Sequence, residues 1–380
     1  MSAVISSEPD VSRGYGDLGL LPTDEPLALL DADGTPTQCR DLPWPSEQTL
    51  VELYRRMVLG RRFDSQATAL TKQGRLAVYP SSRGQEACEV GAVLALRSQD
   101  WLFPTYRDSV ALVTRGLDPV EVLTLLRGDW HCGYDPYEHR VAPQCTPLAT
   151  NTLHAVGVAQ AARIKGEDTV ALVLLGDGAT SEGDTHEALN FAAVWKAPVV
   201  FLVQNNGYAI SVPLSKQTAA PSLAHKGIGY GISSVRVDGN DAAAVYSVVQ
   251  AAINAAVDGH GPTLIEAMTY RIEAHTNADD STRYRSDAEV QAWLSRDPLS
   301  RLERYLTARD LIDVSWREHL DAEASAAAAA LRDRMNTDVT LDPNALFAHV
   351  YSARTLSLRN QQIRLDRELS EQRDAEQVQK

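Results

Sequence analysis

Asp177 stands between two glycines, in Gly176-Asp177-Gly178, and the pair Asn205-Asn206 follows downstream. A carboxylate and a carboxamide brought side by side suit a hard cation. Magnesium takes oxygen ligands in near-octahedral geometry, usually from one or two protein groups together with phosphate oxygens. Glycines beside the acid let the backbone turn sharply and come close to a diphosphate. The chemistry on offer is therefore cation-assisted holding of a diphosphate. A glycine pair alone would mark only a strand-to-helix turn; the specific signal is the acid at the end of one strand and the asparagines at the end of the next. Two rival phosphate patterns fail. No Gly-Lys-Ser/Thr closes a P-loop, and Gly176, Gly178 and Gly183 lack the Gly-x-Gly-x-x-Gly spacing of a dinucleotide fingerprint.

The elements that must position these groups are legible around them. Val170 to Leu175 is an apolar run too short for a buried helix, and Gly176 breaks it. Thr185 to Trp195 reads as a helix with Ala188, Leu189, Ala192, Ala193 and Trp195 available for a buried face. Lys196-Ala197-Pro198 stops it, and Val199 to Val203 is a second apolar strand. Strand, helix, strand with short turns is a βαβ unit, so the strands are expected to be parallel and adjacent. Asp177 and Asn206 then emerge at one carboxyl edge, where open α/β sheets bind ligands.

The whole chain sets the bounds. Its 380 residues allow one large or two modest domains. The net charge of −14 makes non-specific nucleic-acid binding a poor reading. The apolar fraction, 44%, is that of a globular protein. Cys39, Cys88, Cys132 and Cys145 form no CxxC, which fits reduced thiols and a cytoplasmic location. No apolar run is long enough to span a membrane, and the start of the chain lacks a secretory h-region and the Arg-rich look of a mitochondrial leader.

Along the chain, residues 1–45 read as an irregular arm that orders only against the body or a partner. Residues 46–297 read as the α/β domain and 298–380 as a helical C-terminal region. Within the domain, Ser46 caps a helix to about Gln73, and its Arg55, Arg56, Arg61 and Arg62 read as salt-bridged or solvated. A second helix, Gly84 to Leu96, carries small residues Ala87, Gly91 and Ala95 for close packing. Arg107, after Pro104 and Tyr106, is an arginine that could fork onto phosphate oxygens. Asp118-Pro119 starts a short helix. The stretch from Gly128 to Cys145 reads as an irregular loop whose His131, His139 and cysteines lack metal spacing. A helix from about Thr150 to Lys165 has Gly157, where a neighbour could approach. Asp241 caps a helix from Ala242 to Val257, Thr263 to Tyr270 is a further strand, and Arg271 to Ser286 is a polar, solvated loop.

With these residues in view, Gly-Asp-Gly followed by a downstream Asn resembles the signature of the thiamin diphosphate fold. From about residue 46 to 355 the chain resembles the alpha subunit of the thiamin-dependent, decarboxylating component of a 2-oxo acid dehydrogenase complex. Similarity to the branched-chain type runs through Asn205-Asn-Gly-Tyr-Ala-Ile-Ser211, Tyr230-Gly-Ile-Ser-Ser-Val-Arg-Val-Asp-Gly-Asn-Asp241 and Leu264-Ile-Glu-Ala-Met-Thr-Tyr-Arg271. The resemblance implies an α/β fold with a doubly wound, largely parallel sheet. It implies that magnesium is held by Asp177, Asn206 and the main-chain oxygen of Tyr208, and that Tyr106 and Arg107 reach the diphosphate. Thr146 and Leu148 match positions lining the aminopyrimidine, and Gly176, Gly178 and Ala179 match positions along the cofactor. His275 matches an active-site histidine, and the loop around it a guard of the channel that meets a lipoyl domain.

The same resemblance implies oxidative decarboxylation of a branched-chain 2-oxo acid, with pyruvate as the alternative substrate, and acyl transfer to the lipoyl group of an acyltransferase core. The glutamate that activates the cofactor comes from a beta subunit, so a heterotetramer of two alpha and two beta subunits is expected. Departures from the pattern are specific. No Met-Pro-x-His precedes Thr146, so a second histidine does not carry over. Of two loop serines phosphorylated in mammalian relatives, the first is Thr276 here and the second Ser286, so kinase control does not transfer. Cys145 and Asn151 weaken a potassium site near Pro147 and Thr150. A self-sufficient thiamin enzyme of the transketolase or acetolactate synthase type, and a non-catalytic scaffold, are the competing readings. The first is opposed by a single cofactor half-site, the second by the intact Asp177, Asn206 and His275.

Overall fold

The computed structural model describes residues 20–39, 42–339 and 341–378. Residues 1–19, 40 and 41 of the N-terminal arm thus lie outside the described residues. In chain order the elements are α1 (Glu47–Lys72), α2 (Glu86–Ala95), β1 (Trp101–Phe103), α3 (Ser109–Arg115), α4 (Pro119–Arg127), α5 (Pro136–His139) and α6 (Thr150–Lys165). Then come β2 (Ala171–Gly176), α7 (Gly183–Trp195), β3 (Val199–Asn205), β4 (Tyr208–Ala209), β5 (Val212–Pro213), β6 (Ser233–Asp238), α8 (Ala242–Val257) and β7 (Thr263–Met268). Helices α9 (Asp287–Leu294), α10 (Pro298–Ala308), α11 (Val314–Met335), α12 (Ala345–Ala348) and α13 (Leu356–Val378) complete the series.

Local chemistry starts the helices where the sequence places them. The Ser46 hydroxyl accepts from Thr49 N at 3.1 Å. Asp118 and Asp241 each accept from two N–H groups of the turn they cap. Five strands form one sheet in the order β1-β2-β3-β7-β6, with every pairing parallel. The unbroken apolar runs now have a cause: both faces are covered. Leu172 and Leu174 of β2 face the core shared with α2 and α8, while Ala171, Val173 and Leu175 face the core shared with α6 and α7.

The winding direction reverses once. The β2-to-β3 crossover, through α7, advances across the sheet with its helix on one face. The β6-to-β7 crossover, through α8, runs back from the edge with its helix on the other. Right-handed crossovers require this change of face when direction reverses. The reversal lies between β3 and β7, and a crevice at the carboxyl ends of these strands is where such sheets take ligands.

Close packing is visible at two glycines. A Cβ on Gly91 would lie 3.0 Å from Val245 Cγ1, so the small stripe of α2 lets α8 approach. Gly157 differs from expectation: a Cβ there would meet nothing within 4 Å, because it sits on the exposed side of α6. The described part of the arm is ordered against the body. Leu27 bridges Val237 of β6, and Leu29 and Leu30 are buried with their N–H groups each 2.7 Å from an Asp241 carboxylate oxygen. At the opposite edge Leu102 of β1 bridges Val141. Arg61 is paired with Glu86 and Asp297, Arg55 with Glu323 and Arg62 with Asp321, as structural arginines are.

The chain divides into two compact units, one through Asn336 and one from Thr337. Helices α10 and α11 belong to the first, where both pack on α1. In the second, α12 and the mixed-charge α13 are joined by a Gln362 Nε2 to Asn344 Oδ1 hydrogen bond of 2.7 Å.

Candidate active site

One cavity of about 200 Å³ opens at the carboxyl edge where the winding reverses. Tyr106, Arg107, Leu148, Gly176, Asp177, Gly178, Ala179, Asn206, Tyr208 and His275 all line it. Thr146 does not; it is exposed on the segment leading to α6.

Asp177 is set by the end of β2. The chain leaves the strand at Gly176 and enters a short 3-10 turn, Gly178–Ser181, before α7. A Cβ on Gly178 would lie 2.8 Å from Ala209 Cβ, so glycine lets the β4–β5 hairpin close over the turn. A Cβ on Gly176 would meet nothing within 4 Å, which leaves room beside the strand end for a ligand. Asp177 is 1% exposed, and its Oδ2 accepts from Gln217 Nε2 at 2.6 Å. Burial holds its carboxyl above the usual range, against the Gln217 hydrogen bond and the positive charge of Arg271. A buried carboxylate with a single side-chain donor suits a cation.

Asn206 follows the neighbouring strand, β3. Its Nδ2 donates to Gln85 Oε1 at 3.0 Å, and its Oδ1 accepts from Tyr208 N at 3.2 Å. The Tyr208 hydroxyl reaches Glu289 at 3.0 Å. Among the described residues no group of three or more His, Cys, Asp or Glu is arranged to hold a metal ion. A hard cation beside Asp177 would therefore take amide and main-chain oxygens as well, and complete its shell with phosphate and water.

Arg107 and His275 meet across the cavity. The guanidinium donates to Ser81 O at 2.9 Å and to His275 O at 3.0 Å, and lies 3.0 Å from His275 Nδ1. Arginine has no acceptor, so Nδ1 accepts and the neutral ring carries its proton on Nε2. Burial first, then Arg107 and Arg271, pull the His275 pKa down to about 4. Tyr106 packs edge-on against this imidazole, 6.0 Å between centroids. A group whose pKa is lowered stays neutral until the pH falls to that value. In the cofactor-free protein, NMR titration of His275 is expected to give a midpoint near 4. A midpoint near the ordinary ~6.5 would mean that the Arg107 contact does not control the ring.

The loop from Arg271 to Ser286 differs from the solvated loop expected. Arg271 is buried and donates to Ile210 O and Tyr284 Oη, both at 2.9 Å. Tyr284 in turn donates to the Asp279 carboxylate, which also accepts from the His275 N–H at 2.8 Å. Arg285 donates to the carbonyls of Arg271 and Ile272. His275 is thus fixed by its own loop as well as by Arg107.

Several lining residues escaped the sequence reading: Gln85, Asp108, Glu182, Gln204 and Ile210. Gln85 had one available signal, the preceding Gly84. That glycine has φ +98, and a Cβ there would lie 2.2 Å from Tyr270 O, so it seats the turn against the end of β7. Ile210 had none. A β-branched residue at φ 57 is a strained conformation, held here by the Arg271 bond to its carbonyl.

Residues 54–339 match the protein family described as dehydrogenase E1 component. The chain is 49% identical over 350 residues to the 3-methyl-2-oxobutanoate dehydrogenase subunit alpha of Mycobacterium tuberculosis, covering 91% of this chain and 95% of the relative. It is 40% identical over 321 residues to the pyruvate dehydrogenase E1 component subunit alpha of Staphylococcus aureus, covering 83% and 85%.

Proposed function

The chain belongs to the dehydrogenase E1 component family, and on that premise we propose that it is the alpha subunit of a branched-chain 2-oxo acid dehydrogenase. The observation that carries the reading is the convergence of Asp177, Asn206, Arg107 and His275 on one cavity at the winding reversal. The higher identity to the 3-methyl-2-oxobutanoate relative favours branched-chain substrates over pyruvate.

The residues present fit thiamin diphosphate with magnesium. Asp177, the Asn206 carboxamide oxygen and the Tyr208 main-chain oxygen would hold the cation, in the space that Gly176 leaves open. Arg107 supplies fixed positive charge towards the diphosphate. Thiamin diphosphate, when bound, supplies a nucleophilic carbon and an electron sink for loss of carbon dioxide. The chain's own contribution is position and charge. Its neutral His275 offers an Nε2–H donor at the cavity, oriented by Arg107 and Asp279.

The partners in this reading are a beta subunit, in a two-alpha, two-beta heterotetramer, and the lipoyl domain of an acyltransferase core. A cytoplasmic location belongs to the same reading, supported by four unpaired thiols. Among the described residues no helix is long and apolar enough to cross a membrane. A decarboxylation assay of the alpha–beta assembly across a 2-oxo acid panel tests the substrate. Specificity for 3-methyl-2-oxobutanoate over pyruvate is expected to come from its two additional carbons, each worth about 1–3 kcal/mol in an apolar pocket. A larger kcat/KM for pyruvate would move the chain to the pyruvate reading.

A further inference from the structure

A carboxamide has two nearly isosteric ends. Turned one way Asn206 offers a cation its oxygen, and turned the other way an NH2 group that repels it. Nothing in asparagine itself selects the end, so the selection must come from its neighbours.

A chain of hydrogen bonds leads away from Asn206 and runs in one direction. Asn206 Nδ2 donates to Gln85 Oε1 at 3.0 Å, Gln85 Nε2 donates to Gln204 Oε1 at 2.9 Å, and Gln204 Nε2 donates to Asp108 Oδ1 at 2.6 Å. The other carboxylate oxygen accepts from Thr105 N at 2.6 Å and Thr105 Oγ1 at 2.7 Å. An ionised aspartate accepts on both oxygens, and towards such an Asp108 Gln204 must turn its NH2. That leaves the Gln204 oxygen for Gln85, and the Gln85 oxygen for Asn206. Asn206 must then donate, and its oxygen is left on the side of Tyr208 N. Reversing any one amide would set oxygen against oxygen on one side and N–H against N–H on the other. Such a fault would be costly, because Gln85, Gln204, Asp108 and Asn206 are 2%, 3%, 0% and 7% exposed.

The fold also shows that Gln85 is diverted to this chain. It occupies the N-cap position of α2, yet its side chain does not cap the helix. Gln204 lies near the end of β3, two residues before Asn206, which follows the strand.

We propose that Gln85 and Gln204 are positioning residues that fix which end of the Asn206 carboxamide faces the cation site, with Asp108 setting the direction of the whole chain. The inference rests on the cofactor reading above. It assigns a function to two glutamines that make no bond to the cation themselves.

The test is a binding cycle in the alpha–beta assembly, with Mn2+ as the spectroscopic probe in the presence of thiamin diphosphate and free Mn2+ read by electron paramagnetic resonance. Gln85→Leu keeps the volume and removes both links. It is expected to weaken Mn2+ about 10–100-fold, the usual cost of losing a group that orients a metal ligand. Asn206→Asp supplies the second arm, because a carboxylate has oxygen at both ends and needs no orientation. In that background Gln85→Leu is expected to cost nothing further, or to tighten binding by removing an oxygen that faces the new carboxylate. An equal loss in both backgrounds would mean that Gln85 only supports the packing, and would overturn the proposal. So would wild-type affinity in Gln85→Leu. If that variant does not assemble, Gln204→Leu cuts the chain one link further on and carries the same two arms. A wild-type assembly that binds no Mn2+ with thiamin diphosphate would overturn the cofactor reading and the relay together.

Discussion

Asp177→Ala is expected to abolish retention of thiamin diphosphate while leaving the fold intact. The carboxylate is 1% exposed at the end of β2, and a cation beside it would balance the diphosphate. Removing one partner of a buried charge pair costs about 3–5 kcal/mol. At about 1.4 kcal/mol per tenfold, affinity falls on the order of a hundredfold or more. The cofactor-free protein should respond in the opposite sense. Burial raises the Asp177 pKa, so at neutral pH the ionised group opposes folding, and alanine removes that penalty. Calorimetric titration with thiamin diphosphate and magnesium, paired with a thermal melt of the free chain, reads both effects. Unchanged affinity would remove Asp177 from the cation site.

The second large effect concerns partnership. The purified single chain is expected neither to decarboxylate a 2-oxo acid nor to hold thiamin diphosphate tightly, and addition of a cognate beta chain is expected to restore both. The cavity, about 200 Å³, is below the roughly 300–1,000 Å³ of a complete small-molecule site. Its rim carries exposed apolar side chains, Leu148 and Ile210, of the kind a second chain would cover. Its buried acids are also committed. Asp177 belongs to the cation site in this reading, and Asp108 accepts from Thr105 and Gln204. Neither is left free to activate the far end of the cofactor, and the exposed Glu182 stands at the start of α7, where the helix dipole favours an acid. Robust turnover by the isolated chain, with contaminating partner excluded by mass spectrometry, would refute the divided site and favour a self-sufficient enzyme.

The site was legible in the sequence where chemistry and secondary structure coincide. Asp177 and Asn206 end two apolar runs joined by one helix, so their meeting follows from βαβ geometry alone. Arg107 and His275 could be paired only through resemblance, because 168 residues separate them. Gln85 and Gln204 were not legible at all. They are 119 residues apart, and each looks ordinary in its place, one at a helix start and one inside an apolar strand. Ile210 points the other way: its residue type argues against the backbone it adopts, and only the tertiary contact with Arg271 explains it. Gly157 shows the same limit, since a glycine in a helix permits close approach but does not show that an approach occurs.

The pinned arm has a consequence for assembly. An open parallel sheet has two lateral borders, each a row of backbone donors and acceptors able to recruit a foreign strand. Here β6 is bordered by Leu27, whose N–H donates to Arg236 O and whose carbonyl accepts from Asp238 N, each at 2.9 Å. At the other border Leu102 donates to Arg140 O at 3.0 Å and accepts from Ala142 N at 2.8 Å. Both selvedges are hemmed by the chain's own irregular segments. Strand addition, in which an extended segment of one protein lengthens another's sheet, is therefore closed at these positions. At these positions a companion subunit would meet side chains and loops, and its fit there would depend on side-chain shape and charge rather than on backbone pairing that any extended peptide could imitate.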